Sequence, residues 1–467
     1  MTLKEAIEIS RSNSVAALRA KHSFVSAYWA YRSYQASRLP SFVIYGNLMN
    51  YNKSLTMLQS YEDGSVRYVN SYNLQNSLGL QISQNITMTG GHLSLLSNLS
   101  RIDQYGMARA LTWYSQPVSV SYTQPLFSYN QFKWDKMIEP KEYEKSKREY
   151  LESMEQLTAQ TAESYFNLLA ATKRAEASRT NFENTTKMLS VASDRLRLGT
   201  VTRDEYLQLE LRALNDSISI NQADINVREA QMALNSILGF DESVEIAPVI
   251  EETLPDIVMD YGMVLDKSFD NSTFSLSNEI DELKAASDVA QAKASRGISM
   301  SLNASFGLSQ TGPAMSEAYR NPLNHEVVGL SFSIPVFDWG LGKGKVQKAK
   351  AAEEVVKAQI MQSENDYRRK IFTMVGQFNS QRQRCMASRR ASEIASERYS
   401  LMMDKFLQGG ATVTDLTNAQ NDSDTALDLY ISDLGDYWNF YYTLRTYTLY
   451  DFESGKDIDI DITELTE

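Results

Sequence analysis

The sequence is poor in the residues that most catalytic, metal-binding or disulfide-stapled folds depend on: one cysteine and three histidines in 467 residues. A lone Cys385 excludes an internal disulfide framework and a cysteine-rich zinc site, and its place in a helical stretch reads as a small packed side chain. His22, His92 and His325 lie far apart with no ligand spacing, so neither a metal site nor a catalytic constellation is expected, and no cofactor is implied. A positive balance is also lacking, with 46 Lys and Arg against 58 Asp and Glu. The formal net charge is −12, and the basic stripe that a nucleic-acid partner requires is missing. No run approaches the roughly 18 apolar residues of a membrane-spanning helix, so any membrane crossing falls to strands. Gly340-Leu341-Gly342-Lys343-Gly344-Lys345 looks at first like a phosphate loop. It lacks both the four-residue gap and the Ser/Thr after lysine, and its lysines are expected near a membrane interface.

What is present is one pattern written twice. Pro125-Leu126-Phe127 is matched by Pro335-Val336-Phe337, 210 positions later. Asp194-Arg195-Leu196, then Gly199, Thr202 and Glu205, is matched at the same offset by Asp404-Lys405-Phe406, then Gly409, Thr412 and Asp415. Proline and glycine stand 74 residues apart in both copies, a length held as if by geometry. Between them, 141–198 and 343–408 are rich in good helix formers. Seventy-four helical residues span roughly 110 Å, too long for an ordinary globular domain. The return segments carry two offset apolar stripes each. Leu207, Leu211, Leu214, Ile218, Asn221 and Ile225 form one; Ile220, Ala223, Val227, Ala230, Leu234 and Ile237 form the other. The last helix repeats this with Leu427, Ile431, Leu434, Trp438 and Tyr441 beside Tyr430, Tyr437, Phe440, Leu444 and Tyr447. Two seams per helix suit the staves of a barrel or a helical bundle equally.

The strand patterns separate those two. Residues 298–308 and 328–336 alternate large apolar side chains with Ser, Gly and Asn, as do Val118, Val120 and Tyr122 with Ser119, Ser121 and Thr123. Each run of 9–11 residues suits a tilted transmembrane strand. Trp113, Tyr114, Phe127, Tyr129, Trp134, Phe337 and Trp339 cluster near strand ends like an interfacial girdle. The first half carries an extra stretch, with Thr89-Gly90-Gly91 between the alternating runs 78–88 and 92–101, which reads as an added hairpin that either joins the barrel wall or lies outside it.

Taken in order, Leu39-Pro40-Ser41, Pro125-Leu126-Phe127, Pro335-Val336-Phe337-Asp338 and the turns at Gly199 and Gly409 resemble the TolC-like outer-membrane efflux protein family over nearly the whole chain. The resemblance implies a mainly α fold with a membrane β-barrel: a homotrimer in the outer membrane of a Gram-negative bacterium, each chain giving four strands to a shared barrel and its helices to a periplasmic tunnel. It implies docking to a periplasmic adaptor (membrane fusion) protein, and through it to an inner-membrane transporter of RND, ABC or MFS type. The chain divides into a first repeat at 1–238, a connector at 239–275, a second repeat at 276–450 and an acidic tail at 451–467 expected to be solvated. It opens in a capping-box pattern, Thr2 with Glu5, and no signal peptide is visible, so a mature or trimmed form is expected.

The candidate site residues lie at the two turns. Gly199 and Gly409 suit left-handed helix C-caps, and Thr202 and Thr412 suit N-caps with Glu205 and Asp415 as capping-box partners. In the family these turns form the periplasmic tip, so Gly199, Thr200, Val201 and Thr202, with Gly409, Gly410, Ala411 and Thr412, are the implied adaptor-docking residues. The resemblance further places Asp415 at the tunnel aperture, with Glu205 as its repeat mate. A second acid expected there falls on Asn418, and the basic latch residue of some members falls on Ala411. The function implied is passive export of small molecules. Type I protein secretion by the same fold and a soluble structural coiled coil are the competing readings.

Overall fold

A computed structural model describes all residues except 60–63, 106–108, 251–253, 460–464 and 466–467. The chain opens with α1 (Leu3–Asn13), α2 (Val15–Ser37), β1 (Ser41–Gln59), β2 (Val66–Ile86), β3 (Gly91–Gln104) and β4 (Ala110–Leu126). There follow α3 (Gln131–Arg197), α4 (Arg203–Leu238), α5 (Tyr261–Asn271), α6 (Thr273–Arg296), β5 (Ser299–Gly312), α7 (Met315–Ala318) and β6 (Leu323–Ser333). The chain ends with α8 (Leu341–Gln408), α9 (Val413–Thr448) and the small pair β7 (Tyr450–Asp451) and β8 (Lys456–Asp457). The duplication appears in the elements themselves: α3 and α8 have 67 and 68 residues, and α4 and α9 have 36 each.

Two compact units emerge, one built from Met1–Ala27, Glu144–Ser277 and Met361–Glu467, the other from Tyr28–Tyr143 and Asn278–Ile360. The first is helical. Its core gathers Leu168, Leu169, Leu234, Leu238, Val264, Ile371, Phe378, Tyr437 and Leu444, all essentially without exposed surface. The capping box expected at its start is formed, with Thr2 N–H donating to Glu5 Oε2 at 2.8 Å.

The second unit contains a six-stranded antiparallel meander in the order β1-β2-β3-β4-β5-β6. Five of the strands run 14–21 residues and β6 runs 11, so most exceed the 9–11 expected from alternation alone. Pairing continues past the alternating stretch because ladder bonds join backbones whatever the side chains. The added hairpin, β2 and β3, is hydrogen-bonded into the sheet on both sides, so among the described residues the sheet has six strands where the resemblance implied four. Pro117, which has no N–H to give, falls within the register break between Ser115 and Val118 on β4, where the ladder loses least.

Three further boundaries differ from expectation. β6 spans Leu323–Ser333 instead of 328–336, and Pro335 lies beyond it. α3 begins ten residues before 141 and runs through Pro140. The missing ladder bond there costs about 3 kcal/mol, and the next turn is tied to α6 by Lys141–Glu279 at 2.7 Å and Lys284–Glu142 at 2.6 Å. The described part of the acidic tail is an anchored hairpin instead of a solvated end: Asp457 pairs with Lys267 at 2.7 Å and accepts from Asn271 Nδ2 at 2.8 Å, while Phe452 packs on the helical core. The rest of the tail lies outside the described residues.

Candidate functional site

Both turns between long helices are built the same way. At the end of α3, Gly199 adopts φ +78°, its N–H reaches Leu196 O at 3.1 Å, and Thr200 N–H reaches Arg195 O at 3.0 Å. At the end of α8, Gly409 adopts φ +87°, its N–H reaches Phe406 O at 3.0 Å, and Gly410 N–H reaches Lys405 O at 2.8 Å. These are two Schellman caps, and the left-handed position explains glycine at each.

The return helices start on the capping boxes the spacing called for. Thr202 Oγ1 accepts from Glu205 N–H at 3.2 Å while Glu205 Oε2 accepts from Thr202 N–H at 2.8 Å. Thr412 and Asp415 repeat this at 3.2 Å in both directions. Each hydroxyl also donates to its acid, at 2.9 Å and 2.7 Å. Hydrogen bonds from Thr202 N–H and hydroxyl hold Glu205 below the usual carboxylate range; those from the Thr412 hydroxyl and N–H do the same for Asp415. Both acids therefore carry full charge at neutral pH. Asp415 and Asn418 are exposed one turn apart on α9, and Glu205 is half-buried on α4.

The structure brings the two turns together, 210 residues apart in sequence, through a residue that the spacing marks as part of the repeat but not as a bridge. Arg195, the repeat mate of Lys405, donates from Nη1 to Phe406 O at 2.9 Å and from Nη2 to Leu407 O at 2.6 Å. Its guanidinium thus satisfies carbonyls that the end of α8 leaves open. Its only sequence sign is arginine where the repeat has lysine: the fork geometry lets it hold two carbonyls at once. Beneath the turns a small core packs Met188, Ala192, Leu209, Phe406, Val413 and Leu416, with Ala411 against its edge. Around it, Thr200, Thr202, Gly409, Gly410 and Thr412 are exposed, and Val201 is half-buried.

Farther along α4, the two stripes have different fates. Ala223 and Leu234 are buried and Ile220, Val227, Ala230 and Ile237 half-buried, whereas Leu207, Leu211, Leu214, Ile218 and Ile225 remain 47–66% exposed. One seam is filled within the chain and the other stands open. The sheet likewise exposes Phe42, Ile44, Leu78, Phe306, Val328, Leu330 and Phe332 on one face. Phe127, Phe337 and Trp339 are exposed just past the strand ends. No described helix is long and apolar enough to cross a membrane.

Long capped helical hairpins with an open apolar seam, joined to a strand sheet with one lipid-compatible face, define a channel-tunnel class of membrane protein. The profile of the outer membrane efflux protein family matches residues 93–240 and 276–448, and the chain belongs to that family. Its fold is similar to that of the outer-membrane channel OprN (TM-score 0.68, 16% identity, 97% of this chain and 90% of that one). It is similar also to the CmeC outer membrane channel of Campylobacter jejuni (0.68, 14%, 100% and 89%) and to the outer membrane protein VceC of Vibrio cholerae (0.65, 14%, 96% and 95%). No curated protein matches it by sequence. The protein is accordingly an outer-membrane channel-tunnel of a Gram-negative tripartite export system, trimeric, with its helices in the periplasm, working with an adaptor and an inner-membrane pump. The family consists of passive channels, and the soluble coiled-coil and protein-secretion readings are not favoured.

Proposed function

We propose that the chain is a passive conduit for small molecules, not an enzyme, coupled through its tips to an adaptor and so to a pump of RND, ABC or MFS type. The observation carrying this is the pair of exposed, side-chain-poor turns that Arg195 holds together: Gly199-Thr200-Val201-Thr202 and Gly409-Gly410-Ala411-Thr412. A Cβ built at Gly199 meets nothing within 4 Å, and one at Gly410 meets only Lys405 O at 3.8 Å. A partner helix can therefore approach the backbone closely. Gly410 is the better test position, because Gly199 and Gly409 need their positive φ whatever their surroundings. Gly410→Trp is expected to leave the trimer intact in the outer membrane but to abolish co-purification of the adaptor and export with it; full export by that variant refutes the docking role.

Glu205 and Asp415, three copies of each in a trimer, would set six carboxylates at the tunnel aperture, favouring cations over anions. Asn418, one turn on from Asp415, would add an uncharged acceptor, and Ala411 offers no basic latch there. Glu205→Gln with Asp415→Asn keeps an oxygen for each cap and removes the charge. The expected result is a reversal potential shifted toward zero in a salt gradient, and unchanged selectivity refutes the ring.

A further inference from the structure

We infer that the shared barrel has eighteen strands, closed by an antiparallel seam between β6 of one protomer and β1 of the next. This rests on the trimeric shared barrel and specifies its wall. Among the described residues the sheet has six strands, and β1 and β6 each lack a partner on one side. A bare strand edge cannot stand in hydrocarbon, where an unsatisfied N–H or C=O costs several kcal/mol. Ser41–Tyr45 of β1 and Val327–Ser331 of β6 carry neither the charge nor the proline that protects exposed edges, and the one acid on β6, Glu326, stands just before that stretch.

Register argues that β1 and β2 belong to the wall. Ser41, Ser83, Ser94, Ser121 and Ser305 pair in succession across five strands, forming one polar row that ends on Val327 of β6. On the opposite face Phe42, Ile82, Leu95, Val120 and Phe306 pair in succession across the same five strands, a row that ends on Glu326 of β6. A hairpin folded away from the wall has no reason to continue both rows in phase, since a one-residue slip would exchange the faces. The β2–β3 turn lies on the side where the helices begin, with Asn130 Nδ2 donating to Thr87 O and Met88 O at 3.2 Å. β1 therefore leaves that side and β6 returns to it, so a neighbour's β1 meets β6 antiparallel, as an even-stranded barrel requires. At about 4.8 Å between strands and about 40° of tilt, eighteen strands close at about 36 Å between backbones, against about 24 Å for twelve.

The test uses the full-length protein in its outer membrane with Cys385→Ala as background. One cysteine is placed on β6 at Val327, Gly329 or Ser331, and a second on the same face of β1 at Ser41, Val43 or Tyr45. A parallel set pairs the β6 positions with Ser94, Leu96 and Asn98 of β3, the strand that would border the seam if β1 and β2 left the wall. After oxidation, at least one β1–β6 combination is expected to shift the protein to reducible two- and three-chain bands, with no β3–β6 combination doing so. Cross-linking through β3 instead, or none from any β1–β6 pair in a protein that is trimeric by native mass, overturns the eighteen-strand wall. A monomeric native mass would instead refute the trimer itself.

Discussion

Glu155 has no exposed side-chain surface and sits between Arg11 at 2.9 Å and Arg445 at 3.0 Å, with Arg445 reaching on to Asp451 at 3.5 Å. No spacing in the sequence announces this cluster, because its members lie 144 and 290 residues from Glu155. The capping boxes at Thr2, Thr202 and Thr412 were legible for the opposite reason: each closes over three residues, where local sequence decides. Removing one member of a buried ion cluster strands its partners, at a cost of about 3–5 kcal/mol. Glu155→Gln is expected to lower the unfolding midpoint of the detergent-solubilised protein markedly, while Glu155→Met with Arg445→Met recovers much of the loss. Calorimetry on both variants checks this, and an unchanged midpoint in Glu155→Gln means the cluster contributes little.

Among the elements, the helices could be read and the sheet only in part. Composition and the repeat placed α3, α4, α8 and α9 within a turn or so at most ends, and α3 was longer at its start because Pro140 is carried inside it. The strand total was undecidable from sequence because it depends on pairing. β1 reads Ser-Phe-Val-Ile-Tyr-Gly-Asn-Leu-Met-Asn, without clean alternation, and it turns into a strand by lying against β2. The twin stripes on α4 were visible, but only the structure shows which one the chain leaves open. Leu211 and Leu214, each 61% exposed, belong to that open stripe. If a neighbouring protomer covers it, Leu211→Asp with Leu214→Asp forfeits about 1.5–3 kcal/mol per leucine at every seam. The fraction of trimer in native mass spectra is expected to fall at least tenfold while the helical circular dichroism of each chain persists. An undiminished trimer would mean that the seam lies on another face.

At the scale of the molecule, the serine-lined strand face and the apolar face opposite it fit a wall between water and lipid. The channel class was legible from the order of weak landmarks, because a duplicated tube fixes their spacing. Arg195 bridging the tips and the six-stranded sheet were not: the first joins residues 211 apart, and the second depends on which strand edges pair. The most direct measurement of the whole account is single-channel recording on the detergent-purified protein added to a planar lipid bilayer, with its native mass taken from the same preparation. Three-chain particles that insert and give discrete, lasting conductance steps are the predicted result. A particle that remains soluble without detergent and never conducts would contradict it.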